Sequence, residues 1–96
     1  MLFMFSAQDV PNSLAKRLAA RPDHLARLAE LDKAGRLVLA GPHPNHEGEG
    51  FTGSLIVAEF DDMQAAEAWA QADPYQLTGV YESVLIKPFK QVFPEA

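Results

Sequence analysis

The sequence predicts a single α+β domain, a ferredoxin-like βαββαβ sandwich with a four-stranded antiparallel sheet. Three observations carry that expectation. The chain has 96 residues, too few for two separate cores. Its apolar segments read in the order β-α-β-β-α-β, which with short connections and right-handed crossovers closes into one sheet with both helices on one side. Its third strand-like segment is apolar on both faces, so the side that the helices leave open also needs a cover. Residues 1–96 are therefore read as one domain.

Each element has its own signals. The segment LFMFSAQ, residues 2–8, is aromatic-rich and runs into Asp9, Pro11, Asn12 and Ser13, the pattern of a strand entering a turn. Residues 12–20 suit a turn or two of helix, with Asn12 or Ser13 as cap. A clearer helix is expected from Pro22, a residue suited to the first helical position, with Asp23 in its first turn and Lys33 near its end before Gly35. LVLAG, 37–41, is the second strand, and the Gly- and Pro-rich stretch 42–52 reads as a loop. GSLIVAEF, 53–60, is the third strand. Asp61 or Asp62 is placed to cap a helix MQAAEAWAQA, in which Met63, Ala66 and Ala70 share a face beside Trp69. That helix is expected to end near Asp73 and Pro74. VYESVLIKPF, 80–89, is the fourth strand, and Pro88 puts it at or near an edge. Leu55 and Val57 alternate with Ile56, Ala58 and Phe60, so a second copy packed against the open sheet face, as a homodimer, is the economical cover.

Composition narrows the function. Eight Lys and Arg against thirteen Asp and Glu give a net charge of −5, which repels phosphate backbones and argues against nucleic acid or an anionic membrane as partner. There is no cysteine, so thiolate catalysis and thiolate metal sites are absent. The opening MLFMF has no basic residue before its short apolar run and resembles neither a signal core nor a membrane span. A soluble, cytoplasmic protein is expected.

The chemistry-bearing candidates fall at one end of this topology. At about 100° per residue His24 shares a stripe with Leu28 and Leu31, with Leu25 at its margin, so it faces inward or to the core edge. The expected strand directions bring the start of the first helix and the end of the second to the same edge. That edge collects His24, Asp73, Ser54 and Tyr81. An imidazole held by a carboxylate is an acid/base unit, because the carboxylate fixes the ring's tautomer. His24 and Asp73 are the candidate pair, although "DP" also serves simply to end a helix. Tyr75 and Tyr81 either line a pocket beside His24 or pack with their hydroxyls at the surface. Arg21 is an anion clamp or a solvated helix charge. His43, His46, Glu47 and Glu49 lack the fixed helical face that makes a metal motif specific, so no metal and no cofactor are assigned.

Taken together, "RPDHLARLAELDKAGRLVLAGP", "GS" opening a strand and "ADPYQLTGVYESVLIKPF" resemble the YciI-like (YCII-related) family over nearly the whole chain. The most specific parts are the His-Leu of the first helix, the Ala-Gly-Pro closing the second strand, and the Asp-Pro-Tyr after the second helix. The resemblance implies a ferredoxin-like fold that dimerises through its sheets, similar to muconolactone isomerase and other dimeric α+β barrels. It also implies an active site at His24 and Asp73 with a serine nearby, placed at Ser54. One relative in the family is linked to dehydrochlorination of a chlorinated hydroxyquinol. The expectation is a small enzyme without a cofactor, using His24 and Asp73 for elimination or isomerisation of a small cyclic oxygenated compound, with Ser54, Tyr81, Tyr75 and Arg21 as substrate contacts. The rival is a dimeric module that binds a small ligand or a protein and does no chemistry.

Overall fold

The structure, a computed structural model, describes residues 1–95. The elements run β1 (Leu2–Asp9), α1 (Leu14–Lys33), β2 (Leu37–Pro44), β3 (Phe51–Glu59), α2 (Met63–Gln71), α3 (Pro74–Leu77) and β4 (Tyr81–Phe89). The strands form one antiparallel sheet in the order β2-β3-β1-β4, the ferredoxin-like arrangement expected from the element order. Alternation along β1 sends Phe3, Phe5 and Ala7 to the helix side, where they meet their register partners Ala58, Ile56 and Ser54 of β3. Phe3, Phe5, Ile56, Ala58 and Phe60 make the centre of the core with Leu31 of α1 and Ala66 and Ala70 of α2. Trp69 closes it, its ring 5.4 Å from Phe5 and 5.5 Å from Phe60. The opposite sheet face leaves Leu39, Leu85 and Phe89 exposed.

Three local expectations need correction. The helix expected from Pro22 starts at Leu14, and Pro22 lies in its interior. Proline there removes one N–H and costs about 3 kcal/mol. The stripe Arg17, Ala20, His24, Leu31 is buried on both sides of it, and that burial carries the helix through. His24 is thus midway along α1 and not at its start. Next, β2 extends to Pro44, into the stretch expected to be loop. β2 pairs only with β3, and an edge strand accommodates prolines whose missing N–H would have faced outward. Only 45–50 remain as the connection to β3. Finally, the sequence places Asp73 near the end of the second helix. It lies instead beyond Ala72, the C-cap of α2, and its carboxylate accepts the Tyr75 N–H as N-cap of the short α3, where negative charge is favourable.

The turn from β1 into α1 uses Asn12 at φ 57°, a left-handed conformation that Asn tolerates better than most residues. Gly53 answers a different constraint. A β-carbon on Gly53 would collide with the backbone oxygen of Ala7 on the neighbouring strand and crowd the His43 ring. The exposed His43 ring can give way, but the Ala7 oxygen is sheet backbone and cannot. Gly53→Ala is therefore expected to lower stability by roughly 1–3 kcal/mol, the usual cost of overpacking, read as an earlier midpoint in urea unfolding with an unchanged slope.

Candidate active site

His24 reaches across from α1 to the N-terminus of α3. Its Nδ1 lies 2.8 Å from Oδ1 of Asp73, and the two side chains are 7% and 4% exposed. The same Oδ1 accepts the Tyr75 backbone N–H at 2.8 Å. Asp73 is thus fixed by the helix it caps before it meets the imidazole. The carboxylate selects the tautomer with the proton on Nδ1, leaving Nε2 as the basic nitrogen. Tyr75 completes the mounting: its ring stacks on His24 at 3.8 Å and 9°, so neither ring can tilt without the other.

A second group, not anticipated from the sequence, lies two turns back along the same helix face. Arg17 is buried and donates from Nε to Asp9 Oδ2 at 2.6 Å and from Nη2 to Asp9 Oδ1 at 3.0 Å. Nη2 also donates to the Gly53 carbonyl and to Ser54 Oγ, both at 2.8 Å. Ser13, at the N-cap of α1, donates its hydroxyl to Asp9 at 2.6 Å, and its oxygen accepts no N–H of the helix among the described residues. Burial works against the guanidinium charge, but the bonds to Asp9 outweigh it and hold Arg17 above its ordinary value. The signal was present: Arg17 is seven residues before His24, on the inward stripe, and Asp9, Ser13 and Arg17 recur every fourth residue. Because Ser54 already accepts from Arg17, its hydroxyl proton is left to donate.

The four proposed substrate contacts separate into buried and exposed groups. Ser54, Tyr75 and Tyr81 are buried while Arg21 is exposed. Tyr81 meets Tyr75 edge-on, with ring centroids 5.7 Å apart, and its hydroxyl has no hydrogen-bond partner among the described residues. Burial pushes the Tyr81 phenol well above its ordinary range. It also raises Tyr75, against the opposing pull of Arg17 and Arg21.

Between α1 and the β2–β3 side of the sheet is a cleft of about 270 Å³, lined by His24, Arg17, Arg21, Ser54 and Tyr75. Leu25, Leu28, Pro42 and Ile56 give it apolar walls, and among the described residues no Asp or Glu lines it. Apolar walls with a few convergent polar groups are what a small-molecule site requires. Tyr81 does not line this cleft; it lies behind it, where Ser54, Asp73 and Tyr81 share a much smaller hollow. A larger depression of about 390 Å³ between α2 and β4 contains none of these groups, so volume alone does not mark the site. His46 is 3.7 Å from Glu47 with both side chains exposed. Among the described residues there is no group of three or more His, Cys, Asp or Glu placed to hold a metal, and no helix is long and apolar enough to cross a membrane.

Comparison with known proteins shows the family and the fold. The chain is 56% identical over 98 aligned positions to Protein YciI of Escherichia coli O6:H1, which covers 97% of this chain and 100% of that one. It is 51% identical over 98 positions, with the same coverage, to a protein of Haemophilus influenzae. Among solved structures it matches 5-chloro-2-hydroxyhydroquinone dehydrochlorinase (TftG) from Burkholderia phenoliruptrix AC1100, in complex with 2,5-dihydroxybenzoquinone, at a TM-score of 0.83 and 26% identity over 94% of each chain. With the model of the YCII-related domain matching residues 1–90, the chain belongs to the YCII-related family.

Proposed function

We propose that the protein is an acid/base enzyme that eliminates a group from, or isomerises, a small cyclic oxygenated compound held in the α1 cleft. The observation that carries this reading is the buried His24–Asp73 pair beside that apolar cleft. The dehydrochlorinase of the same fold, which acts on a hydroxylated ring, supports the reaction class.

In this reading Asp73 holds the proton on Nδ1, and Nε2 takes a proton from a ring carbon. In an elimination the C–H electron pair becomes the new double bond. The bond to the leaving group on the adjacent carbon breaks, and that group departs as an anion. In an isomerisation His24 returns the proton to another atom of the substrate. Ser54, oriented by Arg17, donates to the substrate oxygen on which charge develops. Tyr75 holds the imidazole plane. Tyr81 stays neutral, so no second charge builds behind Asp73.

His24→Gln should keep the fold and abolish turnover of cyclic enol and halogenated phenolic substrates. Asp73→Asn keeps a good N-cap for α3 and should lower kcat by roughly 10²–10⁴-fold, the range for general acid–base assistance. Turnover by His24→Gln at the wild-type rate would remove His24 from the mechanism. Ligand recovered unchanged from the wild type would favour a binding module.

The tyrosines give a pH test. Both phenols are raised by burial, so the unfolded chain releases these protons first. Their contribution to stability is complete below about pH 10 and is lost as pH rises beyond it. Near-ultraviolet absorbance should show at most one tyrosine, Tyr75, ionising in the folded protein, with Tyr81 ionising only with alkaline unfolding. Two tyrosinates formed before unfolding would contradict the sealed position of Tyr81.

The assembly expected is a homodimer in the cytoplasm, with a second copy on the open sheet face. Exposed Leu39, Leu85 and Phe89 on that face support it, since apolar patches of this kind mark contact surfaces. Sedimentation should give twice the chain mass, and Leu85→Lys should shift it toward the monomer. A wild-type monomer at micromolar concentration would remove the dimer.

A further inference from the structure

Arg17 and Arg21 are one helical turn apart on α1 and line the same cleft, but their charges are not equivalent. Arg17 is balanced by the buried Asp9 carboxylate. Arg21 enters no ion pair among the described residues. The Nε and Nη2 of Arg17 are committed to Asp9, Gly53 and Ser54; its Nη1 takes part in none of these bonds, and the guanidinium lies within hydrogen-bonding reach of the Tyr75 hydroxyl. The positive charge of both guanidiniums reaches the Tyr75 hydroxyl, opposing its burial. A chain of net charge −5 thus carries a cleft in which, among the described residues, no carboxylate enters the lining and Arg21 stands without an ion-pair partner at the rim.

Resting on the reading of this cleft as the active site, we propose that Arg21 is its specificity-determining residue. Its substrate is a singly charged anion, a flat ring bearing one ionised oxygen group. The ring lies between Leu25 and Leu28 on one side and Pro42 and Ile56 on the other. The ionised group pairs with the Arg21 guanidinium, with Arg17 Nη1 and the Tyr75 hydroxyl beside it. One charge fits better than two. Arg17 is already neutralised, and the carboxylate of Asp73, the anion just behind His24, would repel a second. The apolar walls strengthen the pairing by excluding water from around it. The ionised oxygen belongs to a carboxylate or to an acidic enol, and both offer a guanidinium the same paired acceptors.

The test is binding, measured by calorimetry on the intact protein with three probes: benzoate as the carboxylate, 2-hydroxy-1,4-benzoquinone as the singly ionised acidic enol, and hydroquinone as a neutral ring of similar size. The wild type should bind one of the anions more tightly than hydroquinone, and added salt should weaken only the anion. Arg21→Gln should weaken that anion by about 10- to 100-fold, the scale of a lost hydrogen-bonded charge contact. It should leave hydroquinone binding and the melting temperature unchanged, because Arg21 is exposed. Arg21→Lys should recover part of the loss. Which anion binds decides between carboxylate and enol. Equal binding by wild type and Arg21→Gln, or preference for hydroquinone, or no saturable binding of either anion at millimolar concentration, would overturn the proposal. The same titrations in His24→Gln separate it from the catalytic reading. Arg21-dependent binding without turnover in the wild type removes catalysis and leaves the proposal standing. Turnover that needs His24 but is indifferent to Arg21 removes only the proposal.

Discussion

The buried ion pair of Arg17 and Asp9 is the contact on which the site depends. Taking two charges out of water costs several kcal/mol per ion, and attraction repays that only when geometry is good and the remaining polar atoms are satisfied. Here the guanidinium grips both carboxylate oxygens from two nitrogens, Ser13 adds a donor, and a β3 carbonyl takes another guanidinium hydrogen. Three elements meet in it: the end of β1, the first turns of α1 and the backbone of β3. Removing one partner of such a pair typically costs 3–5 kcal/mol because the other is left buried and uncompensated. The network therefore sets where α1 begins and how it is rotated against the sheet. Two turns later that rotation has fixed the direction in which His24 points.

Asp73 receives His24 on equally firm terms. A carboxylate on a loose loop would adopt many rotamers, and ordering it would cost entropy whenever the pair formed. The one oxygen that faces His24 also caps α3, so its position is set by a backbone turn. Tyr75, two residues on, returns over the imidazole. The short helix acts as a clamp: its N-cap, Asp73, holds the ring by an edge and its Tyr75 side chain holds it by a face. His24 and Asp73, 49 residues apart in sequence, are joined by two local structures each rigid in its own right.

Much of this was legible in the sequence, and the exceptions have physical causes. Alternation in β1 and β3, the Asp62 cap and the stripe through His24, Leu28 and Leu31 follow from local periodicity, and the structure reproduces them. The order of elements put His24 and Asp73 at one edge, but on the expectation that His24 opens its helix; it lies midway along α1 and meets Asp73 at the start of α3. The start of α1 was misplaced because Pro22 is a strong local signal, while the burial that overrides it is tertiary. The far end of β2 was misread because Pro42 and Pro44 discourage a strand until one knows that the strand is at an edge. Arg17 was missed for a related reason: a lone arginine on a helix reads as solvated unless its carboxylate is known, and Asp9 lies on another element. The cap role of Asp73 was hidden in four residues, too few to display a period.

Helix α1 carries two sets of residues with nearly the same period. Arg17, Ala20, His24 and Leu31 are buried, and a change there disturbs the core or the ion pair. Leu18, Arg21 and Leu25 are offset along the rim of the cleft and exposed, so they meet a guest while contributing little to the fold. Surface positions of this kind usually tolerate substitution within about 0.5 kcal/mol. Under the proposed mechanism, reaction and selectivity are therefore inscribed on adjacent faces of one cylinder. The rim can be rewritten for a differently shaped or charged guest while the machinery beneath it stays intact, which gives so small a chain an inexpensive route to new substrates.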